Sequence, residues 1–174
     1  MLKDQKVIEL LQQQVNAEFY SAYLYLDFAN WLEVEGLTGF ANWFKIQAKE
    51  ELAHGHLFMD YLHAHGIYVN LQPIAKPEQP ILMNVEVILS RALQHEQHVT
   101  ELIHKIYKAA LDASDFRTTE MLNWFVKEQL EEEVNAQELI DKYNLVKKCG
   151  TGVYKLDKEL GKREWEEPDF KIVD

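Results

Sequence analysis

Four long stretches of the chain carry apolar residues at alternating steps of three and four positions, the pattern of a helix with one buried face. The pattern predicts α-helices over residues 5–33, 37–65, 84–110 and 115–144, and a short amphipathic helix over 153–160. Glycine and proline are scarce, with 7 and 4 residues, and three of the prolines fall within residues 73–80. The chain is therefore predicted to be all-α, with long uninterrupted helices.

The lengths of the connections predict how these helices are arranged. Short turns join the first helix to the second and the third to the fourth, so each pair should form an antiparallel hairpin. The connection over residues 66–83 has about 18 residues and reaches roughly 60 Å, whereas a helix of about 28 residues is roughly 42 Å long. It can therefore cross the bundle from end to end and place the third helix parallel to the second. The predicted fold is a four-helix bundle with one long crossover and a short C-terminal fifth helix, over residues 1–162, followed by a tail over 163–174.

Each predicted helix carries polar residues inside its apolar seam, and the seam of the first helix is predicted to begin at Ile8. The polar seam residues are Glu18, Tyr25, Glu51, His54, Glu96, Gln129 and Glu132. All four glutamates fall near the midpoints of their own helices, and midpoints align whichever way each helix runs. We therefore expect the four carboxylates to meet in one layer of the core, together with the histidine, the glutamine and the phenol.

Four carboxylates in one apolar layer need a neutralising partner. An unpaired ionised carboxylate in a low-dielectric core costs several kcal/mol, and the predicted seams contain no lysine or arginine. Two divalent cations would balance the four negative charges and use His54 as a nitrogen ligand. Hard oxygen ligands with one imidazole favour iron or manganese, although the affinity order also admits zinc. The pattern predicts a dinuclear metal site.

Taken one at a time, these residues have ordinary explanations. A lone glutamate in an apolar seam is usually a surface group that extends to solvent, and a buried tyrosine such as Tyr25 is usually part of the core. Gln47 is interpreted as a buried amide without a role, and His95 and His98 as solvent-facing histidines. The metal-site hypothesis depends on four glutamates sharing one level.

Composition limits the partners and the compartment. The formal net charge of −11 opposes binding to nucleic acid or anionic membranes and favours cations. The single cysteine, Cys149, excludes an internal disulfide and suits a reducing compartment. Residues 1–11 run into an amphipathic pattern with no stretch typical of a signal peptide or a membrane span. A cytoplasmic protein is predicted.

Three short motifs carry a resemblance to a known family. They are Glu-Leu-Ala-His at 51–54, His-Glu-Gln-His at 95–98 and Glu-Gln-Leu-Glu-Glu-Glu at 128–133. With the seam residues, they resemble the non-haem ferritins of bacteria and archaea, and the likeness covers about residues 2–160. The resemblance implies a ferritin-like bundle that assembles as a homo-oligomeric cage of 24 subunits, with the fifth helix at the fourfold axis.

The resemblance also implies a role for each matching residue. Glu18, Glu51 and His54 would hold a first iron, and Glu51 would bridge to a second iron held by Glu96 and Glu132. Gln129 would lie near the second iron and the oxygen, and Tyr25 would be a phenol able to supply an electron. A possible third iron site would consist of Glu50, Glu128 and Glu131. Leu52 stands where bacterioferritins place a haem-ligating methionine, so the resemblance implies no haem.

The leading hypothesis is an iron-storage subunit with ferroxidase activity. Two Fe(II) ions would be oxidised to Fe(III) by oxygen or hydrogen peroxide, and the product would be stored as a ferric mineral. The alternatives are a storage cage that does not catalyse oxidation, a di-iron oxygenase and a wholly structural bundle. An oxygenase would usually have a second Glu-x-x-His pair, where this chain has Gln129 and Glu132.

Overall fold

Five α-helices make up the fold in the computed structural model, which describes residues 2–172. The helices are α1 (Gln5–Val34), α2 (Thr38–Ala64), α3 (Val85–Asp112), α4 (Phe116–Val146) and α5 (Gly150–Leu160). The predicted all-α class is thus confirmed, and α5 begins three residues earlier than its amphipathic pattern indicated. The predicted domain begins at Met1 and the predicted tail ends at Asp174, and both of these residues lie outside the described part of the chain.

Local side chains fix where three of the four long helices begin. The carboxylate of Asp4 accepts a hydrogen bond from the Val7 amide at 3.0 Å, and the Asn84 side chain accepts one from Val87 at 2.9 Å. Asp115 caps α4 in the same way. Such oxygens satisfy amides that have no partner inside the helix.

The direction of each helix follows from two apolar clusters, one on either side of the polar layer. One cluster joins the C-terminal half of α1 to the N-terminal halves of α2 and α3 and the C-terminal part of α4. The other joins the N-terminal part of α1 to the C-terminal parts of α2 and α3 and the N-terminal part of α4. The second and third helices therefore run parallel, as the length of the crossover predicted. The apolar seam of α1 begins at Val7, one residue before the predicted Ile8, because Val7 is fully buried and Ile8 only half-buried.

The crossover between α2 and α3 lies along α1. The backbone amide of Asn70 donates to the side chain of Gln12 at 3.2 Å, and Gln79 donates to Asp27 at 2.7 Å. The two contacts are 15 residues apart on α1, which corresponds to roughly 22 Å along the helix axis. The segment therefore covers much of the length of the bundle, as its size predicted.

The short helix α5 docks on the start of α2. The Asp157 side chain accepts hydrogen bonds from the backbone amides of Gly39 and Phe40 at 2.8 and 3.1 Å. A Cβ atom added to Gly39 would lie 1.6 Å from the Asp157 carbonyl oxygen, so only glycine permits this approach.

Residues 163–172, which we call the strap, follow α5 and return along the groove between α2 and α4. Trp165 lines one cavity together with the α2 residues Leu52 and Ala53. Further along, the ring of Phe170 stacks on Trp124 of α4 with ring centroids 5.0 Å apart. The strap therefore covers the α2–α4 side of the polar layer.

Candidate metal centre

The four seam glutamates form one buried layer between the two apolar clusters. Glu18, Glu51, Glu96 and Glu132, here called the glutamate layer, come from α1, α2, α3 and α4 and are each no more than 4% exposed. Among the described residues, no lysine or arginine forms an ion pair with any of the four. The layer therefore concentrates negative charge that the chain itself leaves largely unneutralised.

Glu18, Glu51 and His54 form the tightest group of potential ligands in the layer. One ligand atom from each lies within 4.8 Å of the other two. The Oε2 atom of Glu18 and the Nε2 atom of His54 are buried without a hydrogen-bond partner among the described residues. His54 Nδ1 lies 3.8 Å from the Glu51 carboxylate, too far for a hydrogen bond. Two unpartnered buried atoms beside a carboxylate suit the donor set of a metal ion.

Around Glu96, two neutral donors contact one carboxylate. The hydroxyl of Tyr25 donates a hydrogen bond to Glu96 Oε1. Gln129 Nε2 donates to the Glu96 backbone carbonyl at 3.2 Å and approaches Glu96 Oε2 at 3.3 Å. The structure thus brings the predicted phenol and the predicted amide to the same carboxylate.

Charge crowding and burial change the proton affinities of the site. Burial raises the pKa of Glu96 to about 7, and burial together with the charge of Glu96 raises the pKa of Glu132 to about 8. Burial also raises the pKa of Glu51 well above its ordinary value. For His54, burial alone would lower the pKa, but the carboxylates of Glu128, Glu51 and Glu18 raise it well above its ordinary value. The layer thus favours any cation, whether protons or a metal ion.

The three acidic residues of the predicted third site are arranged differently from the layer. Glu128 Oε1 lies 3.7 Å from His54 Nε2, at the edge of the centre. Glu50 is paired with Arg163 from the strap, through contacts of 3.0 and 2.8 Å. Glu131 is exposed, and no hydrogen bond or ion pair joins it to the other two within residues 2–172. The structure brings Glu128 to the centre and leaves Glu131 outside it.

Three polar residues beside the centre, Gln14, Gln47 and Arg163, were given no role from the sequence. Gln14 donates to Glu18 Oε1 at 2.9 Å, and Gln47 donates to Glu132 Oε2 at 2.7 Å, so Gln47 has a partner within the site. Gln14 lies four residues before Glu18, a spacing that could have identified it. Arg163 offers no such signal, because its segment has no helical period.

His95 differs from the expectation that it faces solvent. Its ring is half-buried, its Nε2 lies 2.7 Å from the Ser21 hydroxyl, and it packs edge-on against Tyr25. Burial is the main reason that its pKa falls to about 4. His98 is exposed, as expected. The register of α3 places His95 beside Glu96 at the contact with α1, and the sequence pattern alone did not resolve that contact.

A known protein family matches the part of the chain that carries these residues. The sequence model of the ferritin-like domain matches residues 8–146, most of the chain. The chain belongs to the ferritin-like family. The resemblance carried by the three motifs is thereby confirmed.

Individual members of the ferritin-like family are similar over nearly the whole chain. The sequence is 36% identical to the bacterial non-heme ferritin of Escherichia coli, over 92% of this chain and 96% of that protein. It is 32% identical to the bacterial non-heme ferritin of Campylobacter jejuni, over 89% and 92%. A novel open pore ferritin from Archaeoglobus fulgidus superposes with a TM-score of 0.89 at 36% identity, over 92% of this chain and 98% of that one. Family and fold together support iron storage as the general role.

No helix within residues 2–172 combines the length and the apolar character needed to cross a membrane.

Proposed function

We propose that this chain is an iron-storage subunit with ferroxidase activity, oxidising Fe(II) to Fe(III) with oxygen at a di-iron centre inside each subunit. The observation that carries the proposal is the buried group formed by Glu18, Glu51 and His54, two of whose atoms have no hydrogen-bond partner within residues 2–172. Its relatives are called ferritins, and iron suits oxygen ligands with one imidazole. Two Fe(II) ions would supply the four positive charges that the glutamate layer lacks.

The proposed roles combine the group of Glu18, Glu51 and His54 with the roles that the resemblance to non-haem ferritins implies. Glu18, Glu51 and His54 would hold one Fe(II) ion, and Glu96 and Glu132 would hold the other, with Glu51 shared between them. Binding displaces the protons that burial keeps on Glu96 and Glu132, because a metal ion competes with protons for the same oxygens. Once ionised, these carboxylates stabilise the higher charge of Fe(III).

Oxidation of Fe(II) needs an electron acceptor. Each Fe(II) gives up one electron, and dioxygen, or hydrogen peroxide as a second oxidant, accepts the pair. Gln129 offers its amide on the side of Glu96. The hydroxyl of Tyr25 donates a hydrogen bond to Glu96. Burial raises the pKa of Tyr25 well above its ordinary value, so the phenol keeps its proton near neutral pH.

Storage requires an enclosed volume, which one bundle does not provide. We propose a homo-oligomeric cage of 24 subunits in the cytoplasm, with the ferric product stored inside as mineral. Exposed apolar side chains support an assembly of this kind: Tyr68 and Ile81 in the crossover are 84% and 108% exposed. Such residues are typical of surfaces that a partner covers.

The proposal is tested by adding Fe(II) to the purified protein in air and following the absorbance of Fe(III). We expect rapid oxidation by the wild type and a rate equal to buffer alone for the double variant Glu51→Ala/His54→Ala, because that variant removes the bridging carboxylate and the imidazole.

A matched control is available on α3, where Glu101 and His104 have the same three-residue spacing but are exposed. The variant Glu101→Ala/His104→Ala should oxidise Fe(II) at the wild-type rate. Equal, slow oxidation in all three proteins would contradict the ferroxidase proposal and leave a storage cage without catalysis.

A further inference from the structure

Arg163 is held against the rim of the metal centre by several independent contacts. Its guanidinium donates to both carboxylate oxygens of Glu50, at 3.0 and 2.8 Å, and to Gln47 Oε1 at 2.5 Å. The same group lies over the ring of Trp43, 5.0 Å from its centroid. Asn42 donates to the Arg163 backbone carbonyl at 3.0 Å. Both the main chain and the side chain of Arg163 are therefore fixed.

The strap anchors this arginine at a second point. Phe170 stacks almost parallel on Trp124, at 9° between the ring planes, and packs with Ile172 against the apolar cluster below the glutamate layer. Contacts at both ends keep the intervening segment on the α2–α4 groove. Because the arginine belongs to the same chain, its effective concentration at Glu50 is high.

The guanidinium of Arg163 lies beside Glu50 at the edge of the centre, where a further cation would be expected. Glu128 lies 3.7 Å from the buried Nε2 of His54, and its carboxylate is near enough to Glu50 for the two negative charges to repel each other. Two neighbouring carboxylates at the edge of a di-iron centre favour a cation beside them. A guanidinium that already donates from Nη2 to both oxygens of Glu50 competes for that carboxylate.

We propose that Arg163 acts as a built-in cation that occupies the Glu50 side of this third position and limits the centre to two metal ions per subunit. The inference rests on the proposed di-iron centre and concerns the number of ions bound beside it. Arg163 then determines how many metal ions the site binds. It also fixes the amide of Gln47 so that its nitrogen faces Glu132.

The test counts metal ions in the assembled protein by anaerobic calorimetric titration with Co(II), which oxygen chemistry does not complicate. We expect two ions per subunit for the wild type and three for Arg163→Ala. The additional ion should disappear again in Arg163→Ala/Glu50→Gln, because Glu50 would be one of its ligands. Arg163→Lys keeps the charge and should retain the wild-type number.

The control is Lys162→Ala, which removes the same charge from the neighbouring exposed residue and should leave two ions. Equal numbers of ions in the wild type and in Arg163→Ala overturn the inference, whatever that number is. Loss of the first two ions in Glu51→Ala/His54→Ala reports separately on the di-iron centre, so failure of the proposed function and failure of this inference give different results.

Discussion

The hydrogen bonds to Glu18, Glu96 and Glu132 in the glutamate layer come from uncharged side chains. Gln14 donates to one oxygen of Glu18, and the other oxygen has no hydrogen-bond partner in the described part of the chain. Gln47 donates to one oxygen of Glu132. An amide or a phenol supplies a partial charge, whereas an ionised carboxylate in an apolar core requires a full opposite charge or a proton. In metal-free protein, part of the layer is therefore expected to be protonated at neutral pH.

This protonation predicts that metal-free protein loses stability as the pH rises from about 5 to 8. Burial raises the pKa of Glu96 to about 7 and, with the charge of Glu96, the pKa of Glu132 to about 8, from 4.5. Between 4.5 and these values the native state holds protons that the unfolded chain has released, so the free energy of unfolding falls with rising pH. His54, whose native pKa is also raised, acts in the same direction.

The fall is expected to reach a few kcal/mol, since one pKa unit corresponds to about 1.4 kcal/mol. Urea unfolding of metal-free protein, followed by circular dichroism across this pH range, measures it. The variant Glu96→Gln/Glu132→Gln should give a flatter profile, because its amides do not titrate. A free energy of unfolding that is constant or rises with pH in the wild type would rule out this account of the layer.

At the scale of the elements, α2 begins without a capping side chain of its own. Leu37 stands at its N-cap, and the amides of Gly39 and Phe40 instead donate to Asp157 of α5. The carboxylate also lies at the positive end of the α2 dipole, where a negative charge is favourable. The short fifth helix is therefore attached to the bundle through a cap supplied from 118 residues away in sequence.

Removing this cap should loosen α5 and lower thermal stability. For Asp157→Ala we expect a loss of about 1–2 kcal/mol, the usual cost of a lost N-cap, and a fall in Tm of roughly 2–4 °C per kcal/mol. Thermal unfolding by circular dichroism gives both values.

Asp157→Asn provides the comparison, because an amide oxygen still accepts the two hydrogen bonds while the charge is gone. It should retain more than half of the stability that Asp157→Ala loses. Equal losses in the two variants would show that the charge, and not the acceptor, fixes α5.

At the scale of the whole molecule, the surface of the crossover points to self-association. Ile81 and Leu82 are 108% and 69% exposed although both are large and apolar. The double variant Ile81→Glu/Leu82→Glu should shift the assembly towards smaller species, because buried charges without partners oppose association. Native mass spectrometry measures the change in size.

Lys76→Glu is the matched control. It changes the net charge of the crossover by the same amount, −2, at an exposed position that is already polar, and it should leave the assembly intact. If the Ile81→Glu/Leu82→Glu variant kept the wild-type mass, this part of the surface would not be an interface.

Local patterns were sufficient to predict the helices and the order in which they run. The boundaries of α1 and α3 depend on helical period and on capping side chains such as Asp4 and Asn84, which lie within three residues of the amides they bind. The glutamate layer was also predictable, because residues near helix midpoints meet whatever the direction of each helix. Each of these features depends on spacing along one helix.

Only the tertiary structure decided which groups complete the centre. Arg163 reaches Glu50 across 113 residues of sequence, and that contact exists because α5 docks on α2 and directs the strap along the groove. The burial of His95 depends in the same way on the packing of α3 against α1. The sequence by itself determined the bundle and its four carboxylates, since period and spacing are local properties. Folding decided what neutralises the rim of the centre, because contacts between distant segments depend on where every intervening element lies.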